Sequence, residues 1–434
     1  MHCTWNEVES AIQVESSKSK LSCKTQCETH LSDAAHISLN FRIDINKTSP
    51  QKHERLISSY NTTMEKITLI ATLSFGLEAV VKRELQALGF QNLQVSDGKV
   101  EFEATLEDIP TVNLWLRFAD RVLLKMGEFP AKDFDTLFES TYALPWEDWI
   151  EEDGLFNVTG VSVKSQLESV PACQSIVKKA IVEKLSDTYK TDWFEENGAE
   201  FPVKVSIRND IATLTLDTSG TGLNRRGYRI HAGAAAIKET LAAALVQLSF
   251  WNESRLLVDP MCGSGTILID AAMIGRNIAP GLNRDFASEG WGKIPAEAWE
   301  QARSHARSVI KSDIELQLFG YDISEDMFLA SEANAKAAGV EKDIHDLWID
   351  QEHGIVISNF PYGVRMGNFK VLNELYISFH KTFRKKLGWS VYVLTADKKF
   401  PDYFKRARPN KVRKLFNGAI EVAYYQYFGE RPSK

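Results

Sequence analysis

The chain has 434 residues, more than one ordinary hydrophobic core accommodates, which predicts two to four domains. The chain has 44% hydrophobic and 25% charged residues, and we find neither a secretory signal nor an apolar run of about eighteen residues. Its five cysteines do not have disulfide-like spacing. We therefore expect a soluble cytoplasmic protein without a membrane span. The net charge of −7 argues against a protein that coats nucleic acid indiscriminately, since such binding is mostly neutralisation of phosphates.

The N-terminal 63 residues differ from the rest of the chain. They hold three of the five cysteines, ten serines and no sustained apolar periodicity. We expect residues 1–63 to be poorly ordered or to be a non-native extension, with Met64 as a candidate start.

Residues 64–130 read as a small α+β module. Strands are predicted at KITLIATL, QVSDGKVEFEA and RVLLKMGEFPA, and helices at GLEAVVKRELQALG and LEDIPTVNLWLRFA.

Residues 131–219 form a second unit, with a strand at FNVTGVSV, an amphipathic helix at PACQSIVKKAIVEKL and a β-hairpin that turns at Asn209-Asp210. Lys164, Lys178 and Lys179 are candidates for contacts with phosphates, and scattered surface lysines are the alternative.

A basic, glycine-punctuated linker follows at 220–235, and its Arg225, Arg226 and Arg229 are further candidates for RNA contact. Residues 236–434 alternate helices and strands, which predicts a mostly parallel sheet wrapped by helices. Residues 381–414 hold twelve Lys and Arg against two Asp, which suits either a basic face for an RNA backbone or a solvated helix surface.

The strongest motif is the segment 258–266, VDPMCGSGT, where an apolar strand runs into a glycine-rich turn and a helix. Gly263 and Gly265 let the backbone approach a ligand closely, and the helix N-terminus favours an anionic group. Such a turn can serve NAD, S-adenosylmethionine or packing alone. The pattern is neither GxGxxG nor a Walker loop, which disfavours dinucleotide and nucleoside triphosphate sites.

Asp322 follows the next predicted strand, one strand–helix–strand step later. A carboxylate there can accept hydrogen bonds from both hydroxyls of a ribose, and a helix cap is the alternative. The glycine turn upstream favours the ligand.

The third motif, SNFPYG, begins at Ser358 and ends the predicted strand HGIVIS. The Asn359 amide oxygen and the Phe360 carbonyl offer two acceptors to an exocyclic amine, and Tyr362 offers a ring for stacking. Two acceptors would turn the lone pair of the amine towards an electrophilic methyl, which is catalysis by positioning. The alternative is a simple proline turn.

Together these motifs resemble the class I methyltransferases of exocyclic amines, whose motif reads (N/D/S)-P-P-(Y/F). More closely, residues 64–434 resemble the bacterial THUMP-domain RNA guanine-N2 methyltransferases of the 23S rRNA type, through QSIVKKAIVEKL, LNRRGYR, IKETLAAAL and KLFNGAIEVAYYQY. The resemblance implies a ferredoxin-like module (64–130), a THUMP domain (131–219) and, after the linker, a Rossmann-like α/β methyltransferase domain with a mostly parallel seven-stranded sheet (236–434).

The resemblance also implies the site: S-adenosylmethionine as cofactor, no metal, and an RNA partner, with rRNA favoured over tRNA. The cofactor would be held by Asp259, Pro260, Cys262, Gly263, Gly265, Thr266, Asp322 and Asp346. The target base, out of its stack, would be held by Asn359, Phe360, Pro361 and Tyr362.

The chain departs from the family at Ala236, where a proline is frequent, and at three places near the proposed site. Phe360 stands where the family has a first proline and would put a bulky side chain beside the base; Val364 replaces an acidic residue; and the segment 341–350, which contains Asp346, is short. These departures keep open a non-catalytic RNA-binding or assembly protein, and a DNA adenine methyltransferase is a third reading. They also predict that Phe360→Pro raises activity.

Overall fold

A computed structural model describes residues 66–230, 236–342, 344–345, 351–361, 369–406 and 408–430. The segment 1–63, expected to be poorly ordered, lies outside these ranges. Within them the chain forms two seven-stranded sheets, and none of the helices is both long and apolar enough to cross a bilayer.

The first sheet is built from the N-terminal half of the described chain. Its strands are β1 (Ile67–Thr72), β2 (Gln94–Ser96), β3 (Lys99–Ala104), β4 (Arg121–Pro130), β5 (Val158–Val163), β6 (Val203–Arg208) and β7 (Ile211–Asp217). They lie in the order β2-β3-β1-β4-β7-β6-β5. Because β4 pairs antiparallel with β7, one sheet continues through the parts predicted as separate ferredoxin-like and THUMP modules.

Four α-helices accompany this sheet among the described residues: α1 (Glu78–Ala87), α2 (Asp108–Trp115), α3 (Phe134–Tyr142) and α4 (Val170–Tyr189). The apolar spacing that predicted α1 and α4 is the spacing of their buried residues, for example Val81 and Leu85 in α1. Helix α3 was not predicted. The sequence does hold a signal for the start of this helix, the N-cap residue Asp133. Its carboxylate accepts from the Thr136 N–H at 2.7 Å.

The sequence predictions at two tight turns have different outcomes: one is confirmed and the other is wrong. The predicted hairpin is present: β6 and β7 pair across Asn209 and Asp210, which both have positive φ, as the reversed turns of two-residue hairpins require. The single strand predicted over QVSDGKVEFEA is instead the hairpin β2–β3, which turns at Asp97-Gly98 with Gly98 at φ 74°.

The second sheet carries the predicted mostly parallel architecture. Its strands are β8 (Leu257–Asp259), β9 (Leu318–Gly320), β10 (Ile344–His345), β11 (Gly354–Asn359), β12 (Trp389–Thr395), β13 (Lys411–Asn417) and β14 (Ile420–Tyr427). They lie in the order β10-β9-β8-β11-β12-β14-β13, parallel from β10 to β12 and antiparallel beyond. The chain runs outwards from β8 to β10 and then crosses to β11, so the strand order reverses between β8 and β11. Ligands of open α/β sheets bind at such a reversal.

Six α-helices accompany this sheet within the described ranges: α5 (Glu239–Leu248), α6 (Thr266–Gly275), α7 (Ala296–Ser308), α8 (Glu325–Ala337), α9 (Phe369–Phe383) and α10 (Phe400–Phe404). Alternate residues of the central strands enter two apolar clusters. Ile355 and Ile357 of β11 belong to the larger cluster, and Val356 belongs to the smaller, aromatic cluster, which includes residues of α9 and α10. The centre of the sheet is thus buried on both faces, as parallel sheets require.

The predicted basic linker is packed into the molecule over its described part, residues 220–230. The guanidinium of Arg226 is fully buried, forms an ion pair with Asp270 of α6, and donates to the carbonyl of Arg117 at 2.7 Å. Tyr228 donates to the other oxygen of Asp270 at 3.3 Å. The prediction that Arg226 contacts RNA is therefore wrong, because its charge is neutralised inside the protein and has no access to a phosphate.

Candidate active site at the strand ends

The three sequence motifs meet at one edge of the second sheet. Strand β8 lies between β9 and β11 and runs parallel to both, with Asp259 opposite Gly320 and Val356 opposite Val258. Because neighbouring parallel strands end at the same edge, the glycine turn after β8, Asp322 after β9 and Asn359 at the end of β11 lie side by side.

The glycine turn leaves open space above it. Gly263 and Gly265 have φ of 53° and 79°, a region that strongly favours glycine. A Cβ added to Gly263 would meet no atom within 4 Å, whereas one on Gly265 would lie 3.1 Å from the Cβ of Ser331. Gly263 thus faces room for a ligand, and Gly265 permits close packing of α6 on α8.

Asp322 fixes this turn from the neighbouring strand. One carboxylate oxygen accepts from the Gly263 N–H at 2.9 Å, and the other accepts from the Ser324 N–H at 3.0 Å. The N-cap of α8 is Ser324, whose hydroxyl accepts from the Met327 N–H at 3.4 Å. The helix-cap alternative therefore belongs to Ser324, and each oxygen of Asp322 keeps a lone pair for a further donor.

Asp259 is buried beneath the turn. Its carboxylate accepts from the Met261 N–H at 3.1 Å and from the Ser358 hydroxyl at 3.2 Å. Burial raises the pKa of Asp259 to about 7; these two hydrogen bonds oppose the rise and the nearby charge of Asp322 adds to it. With 1% of its surface exposed, Asp259 is placed to hold the two strand ends together.

Asn359 presents an acceptor without a partner. Its amide oxygen is buried and accepts no hydrogen bond from any residue that the structure describes. Buried polar atoms are nearly always paired, so an unpaired acceptor at a strand-end site indicates a missing donor.

Phe360 does not point where the sequence suggested. Its side chain is fully buried, with ring centroids 4.9 Å from Phe379, 5.4 Å from Phe400 and 5.5 Å from Tyr376. Its N–H donates to the carbonyl of Leu394 in β12 at 3.0 Å. The expectation of a bulky side chain beside the base is wrong, because this ring packs into the aromatic cluster and anchors the end of β11.

The remaining cofactor candidates differ in position. Cys262 and Gly265 line a cavity of about 370 Å³ with Gly320 and residues of α8, and burial raises the pKa of the Cys262 thiol. The hydroxyl of Thr266 is buried and accepts from Arg229 at 3.0 Å, so it faces the linker and not the open space. The hydroxyl of Thr266 is thus already engaged by the linker, and the assignment of this residue to the cofactor site stays a prediction that would rest on its backbone N–H at the start of α6.

Two further candidates, Tyr362 and Asp346, lie outside the described residues. Pro260 and Pro361, which are half-buried, flank the site after β8 and β11. In the described part of the chain, no group of three His, Cys, Asp or Glu side chains is arranged to hold a metal ion.

Asn334, like Ser358, has a place in the site that the sequence did not predict. Asn334 of α8 is fully buried, donates to the carbonyl of Ser264 in the glycine turn at 3.1 Å, and accepts from the Ile230 N–H of the linker at 2.9 Å. It therefore positions the turn. Its only signal in the sequence is an asparagine on the inward face of a helix, where hydrophobic residues are usual.

The RNA-contact candidates of the first sheet are not equivalent. Lys164 is exposed, and Lys179 is exposed beside Glu183 at 3.6 Å. The ammonium of Lys178 donates to the Phe156 carbonyl at 2.7 Å and to Glu196 at 2.6 Å, so it already has internal partners.

The linker arginines also divide. Arg225 is exposed. The side chain of Arg229 is mostly buried. It pairs with Glu239 at 3.3 Å and donates a hydrogen bond to the carbonyl of Ile237. Arg229 therefore joins the linker to α5, and a role for it in RNA contact is not supported by its position.

Three family models match the chain in succession. The RlmL ferredoxin-like domain matches residues 68–123, the THUMP domain matches residues 131–217, and the RMKL-like methyltransferase domain matches residues 226–426.

Among curated proteins, the chain is similar to YpsC of Bacillus subtilis strain 168, provisionally named an RNA methyltransferase. The two are 47% identical over 381 residues, which cover 86% of this chain and 98% of YpsC. The ribosomal RNA large subunit methyltransferase K/L of Psychromonas ingrahamii is 34% identical over 81% of this chain and 49% of that protein. The chain thus spans about half the length of this K/L relative.

Solved structures resemble the whole described architecture. A protein of Listeria monocytogenes, named as a predicted N6-adenine-specific DNA methylase, is 44% identical with a TM-score of 0.80, covering 86% of this chain and 98% of that one. SMU.472, provisionally named a methyltransferase and solved with SAH, is 40% identical with a TM-score of 0.80, covering 85% and 100%. TrmN of Thermus thermophilus, at 20% identity and a TM-score of 0.58 over 83% and 99%, shares the fold.

Proposed function

The chain belongs to the family of THUMP-domain methyltransferases with an RlmL ferredoxin-like domain and an RMKL-like methyltransferase domain, and from this we propose that it methylates RNA, specifically N2 of a guanine, with S-adenosylmethionine as donor. Ribosomal RNA of the large subunit is the favoured substrate, because the K/L relatives are named for it. S-adenosylmethionine is the cofactor of this family. The SAH in SMU.472 is the product that remains when S-adenosylmethionine has lost its methyl group.

The observation that carries the proposal is the buried amide oxygen of Asn359, which accepts no hydrogen bond from the described residues. It lies at the end of β11, next to the glycine turn after β8. A guanine N2 amine brings two N–H donors, and one of them would satisfy this oxygen. An amine held in this way directs its lone pair towards a methyl group on the glycine-turn side.

The residues of the turn suit the donor. The open space above Gly263 and the N-terminus of α6 would hold the amino acid part of S-adenosylmethionine. The free lone pairs of Asp322 would hold its ribose. When bound, the cofactor supplies an electrophilic methyl group on a positively charged sulfur.

Asp259 is a positioning residue in this proposal. One oxygen of its carboxylate accepts from both the Met261 N–H and the Ser358 hydroxyl, and only 1% of the residue is exposed, so burial separates it from a substrate proton. Its part is to hold the glycine turn and the end of β11 in register. As the N–C bond formed, the S–C bond would break and leave SAH; the positively charged nitrogen would then be strongly acidic and would lose its proton to water, so no strong base is required.

The departure at Phe360 bears less on activity than the sequence suggested. Since its ring packs away from the strand-end site, the space at Asn359 is not narrowed by it. This supports the enzyme over a non-catalytic assembly protein.

The experiment is methyl transfer from labelled S-adenosylmethionine to total rRNA of a strain that lacks the gene, followed by mass spectrometry of the nucleosides. We expect N2-methylguanosine with the intact protein and formation slowed by about a hundredfold or more with Asn359→Ala. Transfer to adenine N6 of DNA in a parallel reaction would favour the activity for which the Listeria relative is named. Cofactor binding without transfer to rRNA, tRNA or DNA would favour the assembly protein.

A further inference from the structure

A second cavity, of about 420 Å³, lies between α9 and α10. Its lining includes His380, Lys399, Asp402, Tyr403 and Lys405. None of these residues takes part in the strand-end site, yet the cavity has the size of a small-molecule or nucleotide pocket.

The cavity adjoins the strand-end site. Strand β12 runs parallel beside β11 with Leu394 opposite Asn359, so the segment that follows β12 and contains α10 leaves the sheet at the same edge. The Phe360 ring lies 5.5 Å from Tyr376, which in turn stacks on Tyr403 with centroids 5.0 Å apart and planes at 21°. The cavity is therefore two ring contacts away from the residue that follows Asn359.

The lining combines an aromatic ring with free positive charge. Tyr376 holds Tyr403 in place and donates its hydroxyl to Asp397 at 3.1 Å. Lys399 and Lys405 are exposed, and neither has a carboxylate within ion-pair distance in the described part of the chain. A planar ring with nearby ammonium groups is the combination that binds a base and its phosphate.

His380 and Asp402 complete the electrostatics of the cavity. The Nδ1 of His380 donates to the Phe404 carbonyl, and its Nε2 accepts from Arg384, so this ring ties α9 to α10. Asp402 is the single acidic residue of the described lining, and its charge repels a phosphate. The two lysines are therefore the groups of the described lining that favour a phosphate.

We infer that this cavity binds a nucleotide of single-stranded RNA that flanks the methylated one, with its base against Tyr403 and its phosphate at Lys399 and Lys405. That the bound nucleotide belongs to the methylated RNA rests on the proposed function. That the cavity binds a base and a phosphate rests on its lining alone. Holding a flanking nucleotide would favour the unstacked conformation that the target base needs.

The test measures binding of a short fluorescent single-stranded RNA by anisotropy over a range of salt concentrations. Lys399→Gln combined with Lys405→Asn removes both charges; asparagine is chosen because residue 405 has φ of 44°, which it tolerates. We expect weaker binding and a slope of log K against log salt reduced by about 1 to 2. Lys311→Gln is the matched control, since Lys311 is an exposed lysine beside Glu253, before the start of β9 at the opposite edge.

Stacking is tested separately at Tyr403. Tyr403→Leu should weaken binding about tenfold without changing the salt slope, while Tyr403→Phe keeps the ring and should bind as the wild type does. Because the leucine variant could loosen α10, its melting temperature is compared with that of the phenylalanine variant. An unchanged affinity in the lysine and leucine variants, or a loss equal to that of Lys311→Gln, overturns the inference.

The outcome separates this inference from the proposed function. Methyl transfer to rRNA with intact binding in all cavity variants would leave the function in place and remove the cavity from it. Weaker RNA binding in the cavity variants of a protein that methylates no RNA would keep the binding site and sink the proposed reaction.

Discussion

The hydroxyl of Ser358 donates a hydrogen bond to the carboxylate of Asp259 across 3.2 Å, and this bond joins the ends of β11 and β8. The same carboxylate oxygen accepts from the Met261 N–H at the start of the glycine turn. The half of the site proposed to hold the cofactor and the half proposed to hold the base are therefore connected through one buried acid. Ser358 drew no role in the sequence analysis because a serine before an asparagine gives no sign of the strand that its side chain meets.

The first prediction concerns pH. Burial raises the pKa of Asp259 in the folded protein to about 7, above its ordinary value of 3.8, so the folded state binds this proton more tightly than the unfolded state. The contribution of Asp259 to stability is thus greatest below the unfolded pKa and is lost as pH rises through the folded pKa. Relative to Asp259→Asn, the wild type should lose about 2 to 3 kcal/mol of unfolding free energy between about pH 5 and pH 8.

Urea denaturation of both proteins at the two pH values measures this difference. The other buried acids, such as Asp270 and Glu84, are present in both proteins, so their titration cancels in the comparison. Equal pH dependence in the two proteins would show that Asp259 does not titrate in this range.

The second prediction concerns Asn359. Asn359→Ala removes the acceptor that orients the amine, and we expect single-turnover methyl transfer to slow by about a hundredfold or more. Affinity for S-adenosylmethionine, measured by calorimetry, should stay within a few-fold, because the proposed cofactor contacts lie on β8 and β9. A parallel loss of cofactor affinity would contradict this division of the site.

The third prediction reverses an expectation from the sequence. Phe360→Pro was expected to raise activity by restoring the family motif. The structure predicts the opposite, because the change empties part of an aromatic cluster and deletes the N–H that donates to Leu394. A loss of about 3 to 5 kcal/mol is expected from the ring alone.

Thermal denaturation and the transfer assay check this together. Phe360→Leu, which retains the N–H and much of the volume, is the control and should lose less. A proline variant that is as stable as the wild type and more active would restore the original expectation.

The fourth prediction concerns the linker. Arg226→Met leaves the carboxylate of Asp270 buried without its ion-pair partner, which should cost about 3 to 5 kcal/mol of unfolding free energy. Adding Asp270→Asn should recover a large part of that loss, since burial already raises the pKa of Asp270 to about 6 and a neutral side chain suits the site better.

RNA binding by the same proteins separates the two roles considered for this position. At temperatures where it is folded, Arg226→Met should bind RNA with the wild-type salt dependence, whereas Arg225→Gln tests its exposed neighbour. A reduced salt slope in Arg226→Met would mean that the arginine reaches a phosphate after all.

The sequence predicted best where a pattern is set by nearest neighbours. The helix periodicity of α4, the alternation of helices and strands after 236, and the Asn209-Asp210 turn were all recognised from local signals. Asp97-Gly98 carries an equally clear turn signal, but it was lost inside a run that reads as one long strand. A turn between two short strands is easily absorbed in this way when each strand has few residues.

The sequence was least informative where a side chain's environment is made by distant parts of the chain. Arg226 looks like a nucleic-acid contact beside Arg225, and only the arrival of Asp270, 44 positions later, turns it inward. Phe360 similarly looks like an obstacle beside Asn359, until β12, α9 and α10 supply the rings around it. Neither partner can be deduced from spacing.

The pairing of β4 with β7 has a consequence for how this protein can be divided. Excising residues 131–219 would remove β7 from the seven of ten β4 residues that it pairs with, and would leave the backbone groups that face β7 unpaired along an open edge. Such an edge recruits strands from other molecules, so a truncated enzyme would be prone to aggregate. The two N-terminal modules are in this sense a single cooperative piece, better dissected by point substitution than by deletion.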